Sequence, residues 1–200
     1  MIKLLTHIGT NKIETERLIL RPFRIEDAPE MFENWACDDE VTRFLTWQSH
    51  RSVHETECLL NLWTANYNNT DYYNWVIVTK RNNQPIGSIS VVSYNASAEF
   101  ADIGYCLGKY WWGRGFMTEA LDAVTAYLFH RVGFNSVRAC HAVKNPASGK
   151  VMEKCGFSLE GTLRQYFKSK NGEFLDISYR SILKTEYISI EKRRQKCYNN

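Results

Sequence analysis

The chain has 200 residues, 44% of them hydrophobic and 24% charged, which suits one globular domain with a sizeable core and is short for two. No apolar run nears the roughly 18 residues of a membrane span, and the opening Met1 to His7 holds too short an apolar stretch for a signal peptide. The formal charge of +3 lies wholly from Lys184 onward, where five Lys/Arg meet two Glu, so the body is neutral and carries no strong nucleic-acid signal.

Cysteines 37, 58, 106, 140, 155 and 197 show no Cys-x-x-Cys spacing and no paired histidines. That pattern argues against zinc and against a disulfide framework. It predicts reduced, mostly buried thiols, no metal and a cytoplasmic location.

In chain order, Leu18 and Leu20 alternate with Arg17, Ile19 and Arg21, predicting a strand that ends at Pro22. Residues 27–35 predict a short helix with an acidic first turn. Residues 36–52 predict a loop with Trp47 and an exposed His50 near its end, and residues 53–68 a second helix. Residues 73–79 and 86–93 are β-rich runs around a turn-forming Lys80–Pro85 cluster, which predicts a hairpin.

The most informative stretch is Ala101 to Glu119. Ala101, Ile103, Tyr105 and Leu107 alternate onto one strand face. Asp102, Gly104, Cys106 and Gly108 occupy the other, and such a small face predicts room for something lying along the strand. Trp112-Gly113-Arg114-Gly115-Phe116-Met117 then turns the chain into a helix running to about Arg131. A glycine-rich turn feeding a helix N-terminus presents unpaired N–H groups and the positive dipole end, which suits an anion such as phosphate. There is no Gly-Lys-Ser/Thr of a P-loop and no third glycine of a dinucleotide fingerprint.

Past Gly133, residues 136–143 predict a strand whose alternation sets His141 with Val137 and Ala139, toward the core. Asn145 is a good N-cap, Pro146 suits the first helical position, and Gly156 suits the stop. Gly149 inside this helix costs about 1 kcal/mol against alanine, with no local reason for it. Residues 157–164 and 172–179 predict a terminal hairpin, and the basic end 185–200 predicts a frayed, solvated tail rather than an RNA contact.

Trp112 to Ala120 resembles the acyl-coenzyme-A loop of the GCN5-related N-acetyltransferases. It is most similar to the branch holding the ribosomal-protein N-terminal acetyltransferases and spermidine acetyltransferases. Asn145-Pro-Ala-Ser148 followed by Met-Glu-Lys-Cys-Gly-Phe157 is similar to the second cofactor motif of the same family, and Glu14-Thr-Glu-Arg-Leu18 to its opening. Of the strict general loop motif only Gly115 matches, because Trp112 replaces Gln/Arg and Met117 the final Gly/Ala.

The resemblance implies a single α/β domain over residues 1–184, with a mixed, mostly antiparallel sheet of about 6–7 strands, about four flanking helices and a splay between the two central strands. It implies acetyl-CoA as co-substrate. Gly113 to Thr118 (with Arg114, Gly115, Phe116 and Met117) would bind the pyrophosphate, and the backbone of Tyr105, Cys106 and Leu107 the pantetheine arm. Asn145 would bind near the thioester and Ser148 near the sulfur. Other branches place a tyrosine where this chain has Met152, so the resemblance passes the proton-donor role to Ser148. Asp102, the one carboxylate on the small strand face, is the candidate base, with Glu99 and Glu160 behind it. Trp47 and His50 fall where the family places its acceptor segment, and Glu160 is assigned to the same side. The acceptor is an amine: a protein N-terminus, a polyamine served by Asp38 to Glu40, or another small amine. A non-catalytic coenzyme-binding module is the competing reading, and a homodimer is compatible with either.

Overall fold

In the computed structural model, which describes residues 5–198, eight strands form one sheet in the order β1-β2-β3-β4-β5-β6-β8-β7. They are β1 (Ile13–Glu14), β2 (Leu18–Arg21), β3 (Asn74–Thr79), β4 (Pro85–Asn95), β5 (Phe100–Leu107), β6 (Ser136–Ala142), β7 (Ser158–Lys168) and β8 (Phe174–Leu183). The helices are α1 (Ala28–Met31), α2 (Asp39–Thr42), α3 (Val53–Ala65), α4 (Phe116–Tyr127), α5 (Pro146–Lys154) and α6 (Lys184–Tyr198). Of the opening apolar stretch, Met1 to Leu4 lie outside the described residues.

The α/β architecture is the expected one, with more pieces. The first predicted strand is two strands, β1 and β2, paired through Ile13 to Leu20 and Glu14 to Ile19. Inside the predicted loop 36–52, Asp38 accepts from the Glu40 N–H and starts α2.

Strand period sorts the two cores. β3 is buried at all six positions, being covered on both faces. Trp75 and Ile77 join Ile89, Ile103 and the α4 residues Ala120, Leu121 and Val124 on one side. Val76 and Val78 join Cys106, Met31, Trp35 and Leu60 on the other. Cys106 and Gly108 therefore face protein. A Cβ on Gly108 would lie 2.4 Å from the Asn34 carbonyl oxygen, and one on Gly104 2.8 Å from Val92. The small face of β5 is small to admit its own neighbours, which corrects the expectation of a ligand lying along it.

The tail is not frayed over 184–198, and residues 199–200 lie outside the described residues. Tyr187 and Ile190, three apart on α6, give it an apolar stripe. Tyr187 is 2% exposed and packs 5.4 Å from Phe129, and Arg194 pairs with Asp122 at 2.8 Å. Charge run alone suggested a solvated end; two well-spaced apolar side chains decide otherwise. Among the described cysteines all five are free thiols, and only Cys106 and Cys155 are buried. Cys37, Cys58 and Cys140 are exposed, against the expectation of mostly buried thiols.

Candidate active site

Every strand pair is antiparallel except β5 with β6. That parallel ladder holds only from Phe100 opposite Ser136 to Ile103 opposite Ala139. Beyond it, Gly104 to Leu107 stay paired to β4, while Cys140 to Ala142 stay paired to β8. The sheet opens between them, and one edge of β5 is left with backbone groups available to a guest.

The glycine turn lies at the end of this open edge. Gly113 and Gly115 have φ of 73° and 79°, the left-handed region that glycine adopts without strain. A Cβ on Gly113 would meet nothing within 4 Å, so its surface is open. α4 starts at Gly115 with no side-chain cap. Its first intrahelical bond runs from the Glu119 N–H to the Gly115 carbonyl at 3.0 Å, which leaves the N–H groups before Glu119 pointing outward. This is the donor set an anion needs, and the residues fit a pyrophosphate.

Three contacts hold the turn. The Trp112 indole N–H donates to the Leu107 carbonyl at 2.7 Å. The Arg17 guanidinium donates to the Arg114 carbonyl at 3.0 Å and lies 4.5 Å from the Phe116 ring centre. Glu119 then fixes Arg17, accepting from its Nε at 2.6 Å, from its backbone N–H at 2.8 Å and from the Thr15 hydroxyl at 2.5 Å. Burial pushes the Glu119 carboxyl up, but these donors outweigh it and hold the group below its ordinary value. The Arg114 side chain lies over the Tyr110 ring at 4.3 Å. Both flank a groove of about 730 Å³ that Arg17, Lys80 and Arg81 also line.

α5 bounds the other side of the opening. The Asn145 side chain accepts from the Ser148 N–H at 3.4 Å, the expected cap. Tyr105 reaches across from β5: its hydroxyl lies 2.9 Å from Ser148 Oγ and donates to the Ser148 carbonyl at 3.1 Å. Burial pushes the Tyr105 phenol well above its ordinary value. Gly149 sits on the His141 ring, where a Cβ would fall 2.7 Å from Nε2. That accounts for the unfavoured glycine. His141 is half-buried, and its Nδ1 donates to the Ala142 carbonyl at 2.9 Å while Nε2 faces α5 without a hydrogen-bond partner. Met152 is fully buried among core side chains, away from the opening.

Other expected site residues are placed differently. Asp102 is held by Arg138, at 2.8 Å from Nε and 3.0 Å from Nη2, and by the Ser93 hydroxyl at 2.6 Å. A carboxylate so engaged, on the paired half of β5, is poorly placed to take a proton from an amine at the opening. His50 is buried, not exposed; its Nδ1 lies 2.7 Å from the Thr56 hydroxyl, and burial lowers its basicity. Trp47 is half-buried against it, with ring centres 5.4 Å apart. Glu160 lies on the edge strand β7, two strands beyond β6, and accepts from Ser181. Glu99 is a turn residue with φ of 50° whose carbonyl accepts from Asn135 and Ser136. Asp38 caps α2, Asp39 accepts from the Ser49 hydroxyl at 2.5 Å, and Glu40 pairs with Lys109.

A sheet opened beside an uncapped glycine turn, with a hydroxyl at the N-terminus of the facing helix, defines a site for an extended ligand with a phosphate end. Comparison gives the class a name. Residues 17–158 match the acetyltransferase (GNAT) domain. The chain is 32% identical to the N-acetyltransferase YoaA of Bacillus subtilis, over 86% of this chain and 96% of that one. It is 25% identical to the [ribosomal protein uS5]-alanine N-acetyltransferase of Escherichia coli, over 78% of this chain and 82% of that one. A GCN5-related N-acetyltransferase from Brucella melitensis has the same fold, with a TM-score of 0.82 at 20% identity, over 96% of this chain and 87% of that one. The chain belongs to the GNAT family of acetyltransferases, and it is an N-acetyltransferase.

Arg17, Glu119, the Tyr105 hydroxyl and His141 escaped sequence reasoning as site-building groups. Only the misplaced Gly149 signalled one of them, the close approach of β6. Among the described residues no cluster of His, Cys, Asp and Glu has the makings of a metal site, and no helix is long and apolar enough to cross a membrane.

Proposed function

We propose that this protein transfers an acetyl group from acetyl-CoA to the α-amine of a protein N-terminus. The observation that carries the reading is the free edge of β5 from Gly104 to Leu107, set between the uncapped α4 turn and Ser148. Acetyl-CoA, when bound, supplies the activated acetyl group as a thioester. The N–H groups of Gly113 to Thr118 hold its phosphates, with Arg114 adding charge. The open edge at Tyr105 to Leu107 hydrogen-bonds the amide-rich arm as a strand would, and one of its N–H groups faces the carbonyl oxygen. Asn145 and Ser148 lie at the thioester end.

The choice of acceptor rests on proton arithmetic. Asp102 is tied to Arg138 and Ser93, so the candidate carboxylate base is already engaged. A protein α-amine, of pKa about 7.7–8.0, is roughly one-third neutral at pH 7.5; a lysine-like amine near 10.4 is neutral about once in a thousand molecules. With that carboxylate engaged, the first needs the least help in losing its proton and the second the most. Of the acidic residues Asp38, Asp39 and Glu40, Glu40 already pairs with Lys109, which leaves a polyamine one charge fewer to meet there. That the E. coli relative bears the name of a ribosomal-protein alanine acetyltransferase supports the same acceptor class.

Thermal unfolding with acetyl-CoA, against ATP and NADH, tests the coenzyme. Ligand at 100 times its Kd adds about 2.7 kcal/mol, a rise of about 5–11 °C for a domain of this size. No rise with acetyl-CoA sinks the whole reading. Transfer rates to Ala- and Ser-initiated peptides, to an N-blocked lysine peptide and to spermidine test the acceptor. Spermidine or lysine outpacing the free N-termini overturns the choice, and binding with no transfer to any of them leaves a coenzyme-binding module.

A further inference from the structure

We propose that Tyr105 is a positioning residue: its hydroxyl holds Ser148 Oγ toward the sulfur of bound coenzyme A and backs the hydrogen bond Ser148 donates there. The proposal rests on the reading of Ser148 as the group beside that sulfur.

Ser148 is fixed from three directions. Asn145 holds its N–H, the His141 ring seats the next residue, Gly149, and Tyr105 meets both its carbonyl and its hydroxyl. The first two set the backbone. Only Tyr105 touches the hydroxyl whose direction matters. The phenol has one proton and two neighbours to give it to. With that proton on the Ser148 carbonyl, the Ser148 hydroxyl donates back to the phenol oxygen and is turned inward. With it on Oγ, the Ser148 proton is released outward, into the opening. Both arrangements use the same two contacts, so little movement separates them.

The electron and proton balance of acetyl transfer selects the second arrangement as charge develops on sulfur. The amine nitrogen–carbonyl carbon bond forms, the carbon–sulfur bond breaks, and the electron pair of that bond stays on sulfur. The proton lost by the amine passes to solvent and neutralises the sulfur in the end. Ser148 keeps its proton throughout, because an aliphatic hydroxyl is a far weaker acid than a thiol of pKa about 8.5. Tyr105, its acidity suppressed by burial, also keeps its proton. Both are hydrogen-bond donors, not acids, so the proton-donor role that the resemblance passed to Ser148 becomes that of a hydrogen-bond donor to sulfur. A chain from Tyr105 O–H to Ser148 Oγ–H to sulfur polarises along its length and stabilises the thiolate more than Ser148 alone.

The test is Tyr105→Phe, read first on coenzyme binding without turnover. Titrating the ultraviolet thiolate absorbance of bound coenzyme A gives the pKa of its thiol on the parent and on the variant. The expected result is a thiol pKa below that of free coenzyme A on the parent, moving back toward the free value on Tyr105→Phe. Desulfo-coenzyme A, which lacks the sulfur, should bind both proteins within about twofold. Turnover should fall roughly tenfold, about 1.4 kcal/mol, with KM for acetyl-CoA within about twofold. An unmoved thiol pKa overturns the proposal, as does an equal loss of affinity for desulfo-coenzyme A, which marks a merely structural role. Failure of the parent to bind coenzyme A at all overturns the cofactor reading itself, and the proposal with it.

Discussion

Helices α4 and α5 both begin at the mouth of the opened sheet, yet they start in opposite ways. α4 begins at Gly115 in the left-handed region with no side-chain cap, over an open Gly113 surface. α5 begins at Asn145, whose side chain already accepts from the Ser148 N–H, with Pro146 taking a position where an N–H is dispensable. A helix start without an internal acceptor keeps its donors for a guest. One that caps itself presents side chains instead. The first suits a phosphate, the second a single oriented hydroxyl. The supports match: α4 is held from outside by Arg17, which its own Glu119 grips, and keeps its rim free, whereas α5 is pressed onto β6 through Gly149.

The sharpest way to break this contrast is to give α4 its own anion. Gly115→Asp places a carboxylate where a Cβ would lie 3.4 Å from Arg17 Nη2. Asp tolerates the left-handed conformation at a cost of about 1 kcal/mol, partly offset by its charge at the helix start. Acetyl-CoA affinity should fall at least about tenfold by calorimetry, while the ligand-free melting temperature moves by only about 2–4 °C. Retained affinity would show that the phosphates lie elsewhere.

Next in size is the seat of α5. Gly149→Ala gains about 1 kcal/mol of helix propensity but drives a Cβ to 2.7 Å from His141 Nε2, an overpacking worth about 1–3 kcal/mol. A net fall of about 2–4 °C is expected for each kcal/mol lost. The double variant Gly149→Ala, His141→Ala should be less destabilised than the two single changes added together. Simple additivity would mean that the ring is not what demands glycine.

The smallest effect sharpens the α4 side. Glu119→Gln removes the charge that fixes Arg17, and should cost about 1 kcal/mol at neutral pH, discounted because Arg17 is partly exposed. Because the folded Glu119 carboxyl lies below its ordinary value of 4.5, its contribution is complete above that pH and is lost as pH falls through the folded value. Melting curves of the parent and Glu119→Gln should therefore stand apart at pH 7 and converge below about pH 4.5. A constant gap across that range would rule out the carboxylate as the cause.

Much of this was legible in local pattern. Alternation along β5 put Ala101, Ile103 and Leu107 in the core, and the cap at Asn145 and the glycine turn into α4 stand where the spacing set them. These are local rules: a two-residue period, a cap three residues from its N–H, a glycine where φ turns positive. Packing partners far along the chain were beyond them. Tyr105 meets Ser148 across 43 positions, Asp102 meets Arg138 across 36, and Arg17 meets Glu119 across 102. His50 read as an exposed loop residue until Thr56 and Trp47 closed over it. Where the sheet opens, and which polar groups that opening leaves with work to do, depends on which strands run side by side. No stretch of neighbouring residues encodes that, so tertiary structure alone moved Asp102 into an ion pair and brought the Tyr105 hydroxyl to Ser148.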